Sequence, residues 1–513
     1  MSRFHNFQRN LTLSYTQLAV NVVYVLISVP LVLYWLPKEE FGLWALLIQL
    51  MGFFSLVDLG MTTATGRLLV DYKDRRKEGG YGALVKTAFW VSAVQGIIIL
   101  VIILFSAPLL AAVIDIPSLY KETFISLMRL QGVITALLFS MRPLGLILYA
   151  HQRLDICTYN EIGSLVCQLV LLWVCLAAGQ GLFSFVYAGA FYAFIGPGYL
   201  FWKCKRMGLW PDAGEWGKAS WSVFLSVFRF GKDVFLMTLG RQLTLASQTV
   251  IVSRTLGLES AAVWAVGTKM LNLVIPLISR PFGTALPGLS EMLVRGEVAR
   301  LRARFSGIVE LTASLGVVLG ISLALCNSLF VQVWTQGAIV WLPWNDVLLG
   351  IWVVLLSLQA THGSFVSVTK DIGGMRYVFF LEGCCFVLVA ILVGPVMNYS
   401  GVVGASIVCA ALFSYQYSLS RSIRYFNCTV RELAFGWVRR SLKLALVYTP
   451  LAVLVWFATR GFPPLVRLEV HVMAAVVVGG LLFFRLGLSP ELLDEMRRRW
   501  PVAKLRWFRL VLG

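Results

Sequence analysis

Long apolar runs recur along the whole chain, and they constrain the fold more than any other feature of the sequence. Residues 11–36 and 84–114 form two such runs, and each is longer than the ~20 residues that a helix needs to cross a bilayer. Neither run alternates polar and apolar residues as a membrane β-strand does. Because lipid offers no hydrogen-bonding partner, a spanning segment must satisfy its own backbone groups. The runs therefore predict an all-α integral membrane protein.

The composition supports this prediction and argues against several soluble classes. Only 13% of the residues are charged and 58% are hydrophobic, whereas about 25% of the residues in soluble domains are charged. The formal net charge is +19, but the cations lie in alternate loops between apolar runs, so we expect no nucleic-acid partner. The nine cysteines form no CxxC motif and have no histidine at metal-ligand spacing, so we expect no metal and no cofactor.

We predict about fourteen transmembrane helices, joined mostly by short loops. Each apolar run of sufficient length is counted as one span. The predicted spans lie near residues 12–36, 42–68, 84–112, 124–150, 156–178, 181–203, 229–255, 259–290, 306–333, 346–369, 376–397, 400–424, 440–458 and 467–486. Prolines within several spans can bend them, because proline removes a backbone donor: Pro30, Pro143, Pro197, Pro276, Pro281 and Pro287.

Lys and Arg collect in every second loop, and this asymmetry predicts the orientation. The basic loops lie near residues 73–77, 203–218, 295–304 and 421–440, whereas the intervening loops carry scattered cations such as Lys38. Cytoplasmic loops of membrane proteins are rich in Lys and Arg. We therefore predict a multi-pass protein of the inner (cytoplasmic) membrane with both termini in the cytoplasm.

Two segments outside the spans are predicted to lie on the cytoplasmic membrane surface. The tail, residues 489–513, mixes arginines with tryptophans, which is typical of an interfacial helix on anionic lipid. The linker, residues 206–228, contains three tryptophans and is interpreted in the same way. Anionic lipids are therefore predicted partners. Three tryptophans on the outer side are predicted to form an aromatic belt: Trp334, Trp341 and Trp344.

An internal repeat divides the chain into two halves. Residues 36–46 align without a gap with residues 256–266, and four of the aligned positions are identical: Leu36 and Leu256, Glu39 and Glu259, Trp44 and Trp264, and Ala45 and Ala265. Because an even number of predicted spans separates the copies, the halves run in the same direction. Secondary transporters use parallel repeats of this kind, with the substrate pathway at the repeat interface. We predict two six-helix lobes, residues 1–205 and 229–430, followed by two extra helices within residues 431–488.

Three short motifs resemble those of the Wzx-type polysaccharide or O-antigen flippases of the MOP (multidrug/oligosaccharidyl-lipid/polysaccharide) exporter superfamily. They are Glu39-Glu40-Phe41-Gly42-Leu43-Trp44, Asp58-Leu59-Gly60 and Phe230-Gly231-Lys232. The resemblance implies a MATE-like, V-shaped transporter that moves a polyprenyl-diphosphate-linked oligosaccharide from the cytoplasmic to the outer leaflet by alternating access. It implies a role in lipopolysaccharide or other surface polysaccharide synthesis, with a polysaccharide polymerase as a possible partner. Many Wzx-type proteins have twelve spans, whereas fourteen is the number in lipid II flippases.

Charged and polar residues inside the spans are the candidate site residues, since a charge in lipid normally faces a cavity or a partner. On span 8, Lys269, Asn272 and Arg280 share one helical face, and on span 7 Arg241 and Gln248 do the same. We predict a central cavity whose cations bind a diphosphate: Arg241, Lys269, Arg280 and Arg142. The predicted polar lining comprises Gln17, Asn21, Gln49, Gln248 and Asn272.

Buried acids offer an alternative explanation for these cations. Four acidic residues within spans could neutralise them instead: Asp58, Glu161, Glu310 and Glu382. Asp58 is also the candidate for binding a coupling ion.

We expect no catalytic residues and no enzymatic activity. The chain contains no GxxxxGK[ST], HExxH or GxSxG motif. A multidrug cation antiporter of the same superfamily should instead place acids in its cavity, and a lipid II flippase stays open as an alternative. A membrane glycosyltransferase or polymerase should have a large outer loop rich in catalytic residues, whereas the outer loops here are short.

Overall fold

The protein is helical throughout the part of the chain that the structure describes. The computed structural model describes residues 3–73, 80–151, 153–218, 221–369 and 373–499. It is 87% helical, and no β-strand occurs among these residues. The prediction of an all-α protein is therefore confirmed.

The chain forms two compact units, Met1–Ala262 and Val263–Gly513, hereafter the first and second units. The first unit contains α1 (Arg3–Trp35), α2 (Lys38–Phe54), α3 (Met61–Tyr72), α4 (Gly80–Val113), α5 (Ser118–Ser140), α6 (Arg142–Ala150), α7 (Leu154–Ala177), α8 (Phe183–Arg206), α9 (Trp221–Leu245) and α10 (Ser247–Leu256). Helix α11 (Leu258–Gly267) begins in this unit and ends in the next. The lobe and linker boundaries drawn from the sequence remain predictions.

The second and fourth predicted spans, both in the first unit, are each divided into two helices. The second span consists of α2, a 3-10 turn (Ser55–Asp58) and α3, and the backbone between them enters the left-handed region at Leu59 (φ 50°) and Gly60 (φ 72°). The fourth span consists of α5 and α6, separated at Met141, and Pro143 is the second residue of α6. Proline is favoured there because the first helical turn leaves its N–H groups without intrahelical partners.

Apolar and aromatic packing holds the first unit together. Helix α1 contacts α7, and α4 contacts α5. Near one end of α4 the buried Tyr81 donates a hydrogen bond from Oη to the carbonyl of Leu209, at 2.9 Å. Trp210 and Trp216 of the predicted interfacial linker pack against this same core rather than standing apart from it. Two of the linker's three tryptophans thus anchor it to the first unit, whereas Trp221 is exposed.

The second unit contains the remaining helices. They are α12 (Lys269–Val294), α13 (Val298–Trp334), α14 (Pro343–Val368), α15 (Met375–Ala410), α16 (Gln416–Phe426), α17 (Arg439–Ala458), α18 (Pro464–Gly487) and α19 (Pro490–Arg499). Helices α13 and α14 approach closely because glycines face each other: a Cβ on Gly350 would lie 2.6 Å from the carbonyl oxygen of Gly320. Within α15 the backbone leaves the helical region at Asn398 (φ 53°, ψ −139°).

The two extra C-terminal helices pack on α13. His471 of α18 contacts the Leu325 carbonyl through Nδ1 at 2.9 Å, and the hydroxyl oxygens of Ser314 and Ser441 lie 2.9 Å apart. Buried side chains of α13 and α17 form a shared apolar cluster around Tyr448. These helices are therefore integral to the second unit. The tail continues as α19, and residues 500–513, which carry most of its aromatic residues, lie outside the described residues.

The structure confirms a multi-spanning membrane protein but does not confirm the count of fourteen. Eleven helical segments of the described residues are long and apolar enough to cross a membrane, or twelve if the bent pair Leu258–Gly267 and Lys269–Ser279 forms one span. One of the eleven, Met375–Phe426, is 52 residues long and contains the kink at Asn398, so it includes two of the predicted spans. The predicted seventh span is divided between α9 and α10, which are separated at Ala246.

Candidate functional site

The break in the second span brings two predicted site residues together. Asp58 ends the 3-10 turn, Arg142 begins α6, and Nη1 of Arg142 lies 3.4 Å from Oδ1 of Asp58. The guanidinium carbon also lies 3.6 Å from the ring centroid of Phe139. The Arg142 side chain is 36% exposed and that of Asp58 is 18% exposed. An acid therefore partly neutralises Arg142, and the same pair involves the candidate coupling-ion residue.

Asp58 also satisfies backbone groups that the break leaves open. Both of its carboxylate oxygens lie 3.3 Å from the amide nitrogen of Thr62, and the Thr62 hydroxyl donates to one of them. Gln95 of α4 donates from Nε2 to the carbonyls of Val57 (2.9 Å) and Asp58 (3.2 Å). Helix ends need such partners, because their terminal N–H and C=O groups have none within the helix. The break is therefore held by specific side chains.

The other predicted residues of the first unit have different environments. Arg241, near the end of α9, is exposed and forms no ion pair within the described part of the chain, whereas Gln248 of α10 is buried. Gln17 of α1 donates a hydrogen bond to Glu161 of α7. Asn21 and Gln49 are half-buried.

In the second unit, the predicted residues lie on α12. Lys269 is the first residue of this helix and is half-buried, and Asn272 is exposed three residues later on the same face. Lys269 makes no ion pair with any residue that the structure describes. Arg280 lies on the same helix, but its side chain is outside the described residues.

The candidate neutralising acids do not pair with Arg241 or Lys269 in the described residues. Asp58 pairs with Arg142, and Glu310 lies 3.8 Å from Nε of Arg440. Glu161 accepts the hydrogen bond from Gln17, and Glu382 accepts one from the Ser414 amide, at 3.1 Å. Within the described ranges, no group of three or more His, Cys, Asp or Glu could hold a metal ion.

A buried acid that the sequence analysis missed lies in the first turn of α14. Asp346 is 0% exposed and accepts hydrogen bonds from Asn327 Nδ2 (2.7 Å), Trp341 Nε1 (2.6 Å) and the Ser328 amide (2.8 Å). Trp341 is consequently buried, whereas Trp344 is exposed as a belt residue should be. The sequence does show an ionisable residue at the start of an apolar run. It was overlooked because the neighbouring tryptophans were interpreted as surface residues.

The two copies of the internal repeat contact each other within the first unit. Nζ of Lys38 lies 3.2 Å from Oε1 of Glu259, and both side chains are exposed. Gly42 lies so close to α11 that a Cβ there would collide with the Leu258 carbonyl and lie 3.2 Å from the Ala262 amide. Glycine is therefore required at position 42 by this approach of two backbones.

Comparison with solved structures identifies the fold. An inward-facing multidrug resistance MATE family transporter of the MOP superfamily superposes with a TM-score of 0.65 at 14% identity, covering 78% of this chain and 94% of the transporter. A MOP superfamily transporter from Pyrococcus furiosus superposes with a TM-score of 0.58 at 14% identity, covering 83% of this chain and 97% of that transporter. The lipid II flippase MurJ, in an inward closed conformation, superposes with a TM-score of 0.59 at 11% identity, covering 93% of this chain and 98% of the flippase. The predicted MATE-like fold is confirmed.

Sequence comparison identifies the family. No curated protein matches the chain. The family model described as polysaccharide biosynthesis protein matches residues 35–336, which is more than half of the 513 residues. This range includes the outer turn, the Asp-Leu-Gly motif and both copies of the repeat. The family match agrees with the resemblance drawn from the motifs, and the chain belongs to the polysaccharide biosynthesis protein family.

Proposed function

We propose that this protein is a flippase that moves a polyprenyl-diphosphate-linked oligosaccharide from the cytoplasmic to the outer leaflet by alternating access. Membership of a polysaccharide biosynthesis family and the fold shared with a lipid II flippase support a transporter rather than an enzyme. The proposal is carried by two cations of the predicted spans, Arg241 and Lys269, neither of which forms an ion pair with an acid in the described residues.

A diphosphate is the ligand that best matches such cations. A cation within a span is costly in lipid unless it meets an opposite charge. Guanidinium and ammonium groups form strong, charge-assisted hydrogen bonds with phosphate oxygens. Arg241 and Lys269, together with Arg280 and the partly neutralised Arg142, are proposed to bind the diphosphate. The neutral side chains Gln17, Asn21, Gln49, Gln248 and Asn272 are proposed to contact the polar part of the substrate.

The shared fold supports alternating access. MATE family transporters with this fold have been solved in an inward-facing and in an outward-facing conformation. We propose that this chain also exposes its site to each side of the membrane in turn.

Membrane location and partners follow from the same proposal. The alternation of basic loops supports an inner-membrane protein with both termini in the cytoplasm. The surface polymer is proposed to be an O-antigen or a similar polysaccharide, and a polymerase is the expected neighbour in that pathway. Anionic lipids are proposed to bind the basic tail.

Lipid II is the second candidate substrate. The MurJ structure covers 93% of this chain, whereas the MATE transporter covers 78%. A multidrug cation antiporter is less favoured, because an organic cation needs an accessible acid and Asp58 already pairs with Arg142.

Deletion of the gene in the native host tests the proposal. Lipid-linked oligosaccharides are extracted and identified by mass spectrometry. Accumulation of a polyprenyl-diphosphate glycan, with loss of the matching surface polymer, is the expected result. Accumulation of lipid II would select the second candidate. An unchanged lipid-linked pool with altered sensitivity to cationic drugs would contradict both.

A further inference from the structure

Asp346 is a carboxylate buried without a cation among the described residues. Three N–H groups donate hydrogen bonds to this carboxylate. Two of them, the Asn327 side chain and the Ser328 amide, lie on α13, and the third is the Trp341 indole in the loop before α14. Hydrogen bonds to an ionised acceptor are stronger than neutral ones, and a buried carboxylate needs several of them. The donors therefore form a site built around this one side chain.

Both side-chain donors of this site also contact the break in the eighth span. Asn327 donates from the same Nδ2 to the carbonyl of Gly267, at 2.9 Å. A Cβ on Gly267 would collide with the ring of Trp341. Gly267 is the last residue of α11, and the chain bends by 40° before continuing as α12. Asp346 thus holds the two groups that hold the bend.

Lys269 begins the helix on the far side of this bend. Only Thr268 separates it from Gly267. The Thr268 hydroxyl donates a hydrogen bond to the Trp264 carbonyl, at 2.7 Å. The direction in which α12 leaves the bend therefore decides where the Lys269 ammonium lies.

We propose that Asp346 is a positioning residue for diphosphate recognition and acts through Lys269. It fixes Asn327 and Trp341, these fix the bend at Gly267, and the bend places the ammonium group. The inference rests on the proposed function, since it assumes that Lys269 binds the diphosphate. Asparagine at position 346 keeps the size of the side chain but replaces one acceptor oxygen with a donor, so it loses at least one of the three hydrogen bonds.

The test is a double-mutant cycle on the full-length protein in detergent. Binding of undecaprenyl diphosphate is titrated by native mass spectrometry for the wild type, Asp346→Asn, Lys269→Gln and the double variant. Asp115→Asn is the matched control, because Asp115 is an exposed aspartate whose ion pair with Arg254 is also exposed. Thermal unfolding of each variant is recorded in the same detergent.

We expect Asp346→Asn to weaken binding about 10-fold, on the scale known for groups that orient a binding residue. The double variant should bind no more weakly than Lys269→Gln alone, because coupled residues are not additive. Asp115→Asn should bind like the wild type.

Additive losses, or unchanged binding by Asp346→Asn, would overturn the inference and leave the proposed function standing. If the wild type itself does not bind undecaprenyl diphosphate, both fail. Trp341→Phe keeps an aromatic ring but removes the indole N–H donor. It replaces Asp346→Asn in the cycle if that variant does not fold.

Discussion

Each unit contains a broken span that depends on an aspartate, but the two aspartates lie in different surroundings. Asp58 is 18% exposed and pairs with the cation of Arg142. Asp346 is 0% exposed and is held by neutral N–H donors. The breaks also differ in position, since in the repeat alignment Gly267 corresponds to Leu47 and Asp58 corresponds to Ile278. The two halves therefore share the sequence of this turn but break at positions that the repeat does not align.

The difference indicates different tasks. An ion pair that water reaches can exchange partners, and its net contribution to stability is small. A fully buried carboxylate cannot leave its donors without a large cost. We therefore expect the first break to be the adaptable one and the second to be the fixed one.

The largest effect should come from reversing an unpaired cation and should exceed that of reversing a paired one. Lys269→Glu is expected to abolish transport, because a carboxylate would repel the diphosphate, while the protein remains folded and inserted. Arg142→Glu should reduce transport less, since Arg142 is already partly neutralised. Surface polymer in a deletion strain that carries each variant is the measurement. Normal transport by Lys269→Glu would refute the cationic site.

Removing the buried acid should cause the largest loss of stability. Asp346→Ala removes three hydrogen bonds and leaves the Trp341 indole N–H without its acceptor, and an unsatisfied buried donor costs about 1–3 kcal/mol. The midpoint of thermal unfolding should fall clearly, whereas the exposed control Asp212→Ala should stay within about 0.5 kcal/mol of wild type. Equal effects of the two substitutions would show that Asp346 does not hold the second unit together.

Alanine substitutions of two glycines at the breaks should distinguish the cost of steric crowding from the cost of backbone strain. Gly267→Ala must displace the Trp341 ring, which should cost about 1–3 kcal/mol as overpacking. Gly60→Ala imposes φ 72° on a residue with a Cβ, at about 1–2 kcal/mol. Gly163→Ala in α7 is the control, because a Cβ there meets open space. Thermal unfolding ranks the three, and a loss for the control as large as that for Gly267→Ala would contradict the packing argument.

The exposed pairs should have the smallest effects. A double-mutant cycle with Asp58→Asn and Arg142→Gln should give a coupling of about 0.5–1 kcal/mol, discounted because water screens the pair. The pair of Lys38 and Glu259, which is more exposed, should give less and should weaken further in salt. Unfolding in low and high salt measures both. A larger coupling for Lys38 and Glu259 would reverse the order expected from exposure.

Much of the fold was predictable because apolar length is a strong signal. The helices and the repeat follow from the sequence, and the family match and the fold agree with the resemblance drawn from it. The breaks were not predictable from the prolines alone. Met141 lies two residues before Pro143 and Asn398 lies three residues after Pro395, whereas Pro30 and Pro197 lie inside continuous helices. Breaks here depend on long-range hydrogen bonds, such as those of Gln95 and Asn327, which hydropathy does not show.

The site was predictable as a set of residue types but not as a set of pairs. The sequence singled out both Arg142 and Asp58 without joining them, because residues 84 positions apart carry no local sign of contact. Asp346 was missed since its neighbours are tryptophans, and a tryptophan on a surface and one that donates to a buried acid look alike in sequence.

The ion pair between Lys38 and Glu259 bears on how the two halves arose. In the repeat alignment, position 259 corresponds to 39 and position 38 to 258, so a duplicated ancestor with a two-fold axis would have made this contact twice. Today the second contact would join Glu39 to Leu258, which cannot form an ion pair. Of the two contacts that the repeat relates to each other, only one can therefore be an ion pair in the present sequence, so this turn is no longer symmetric in charge.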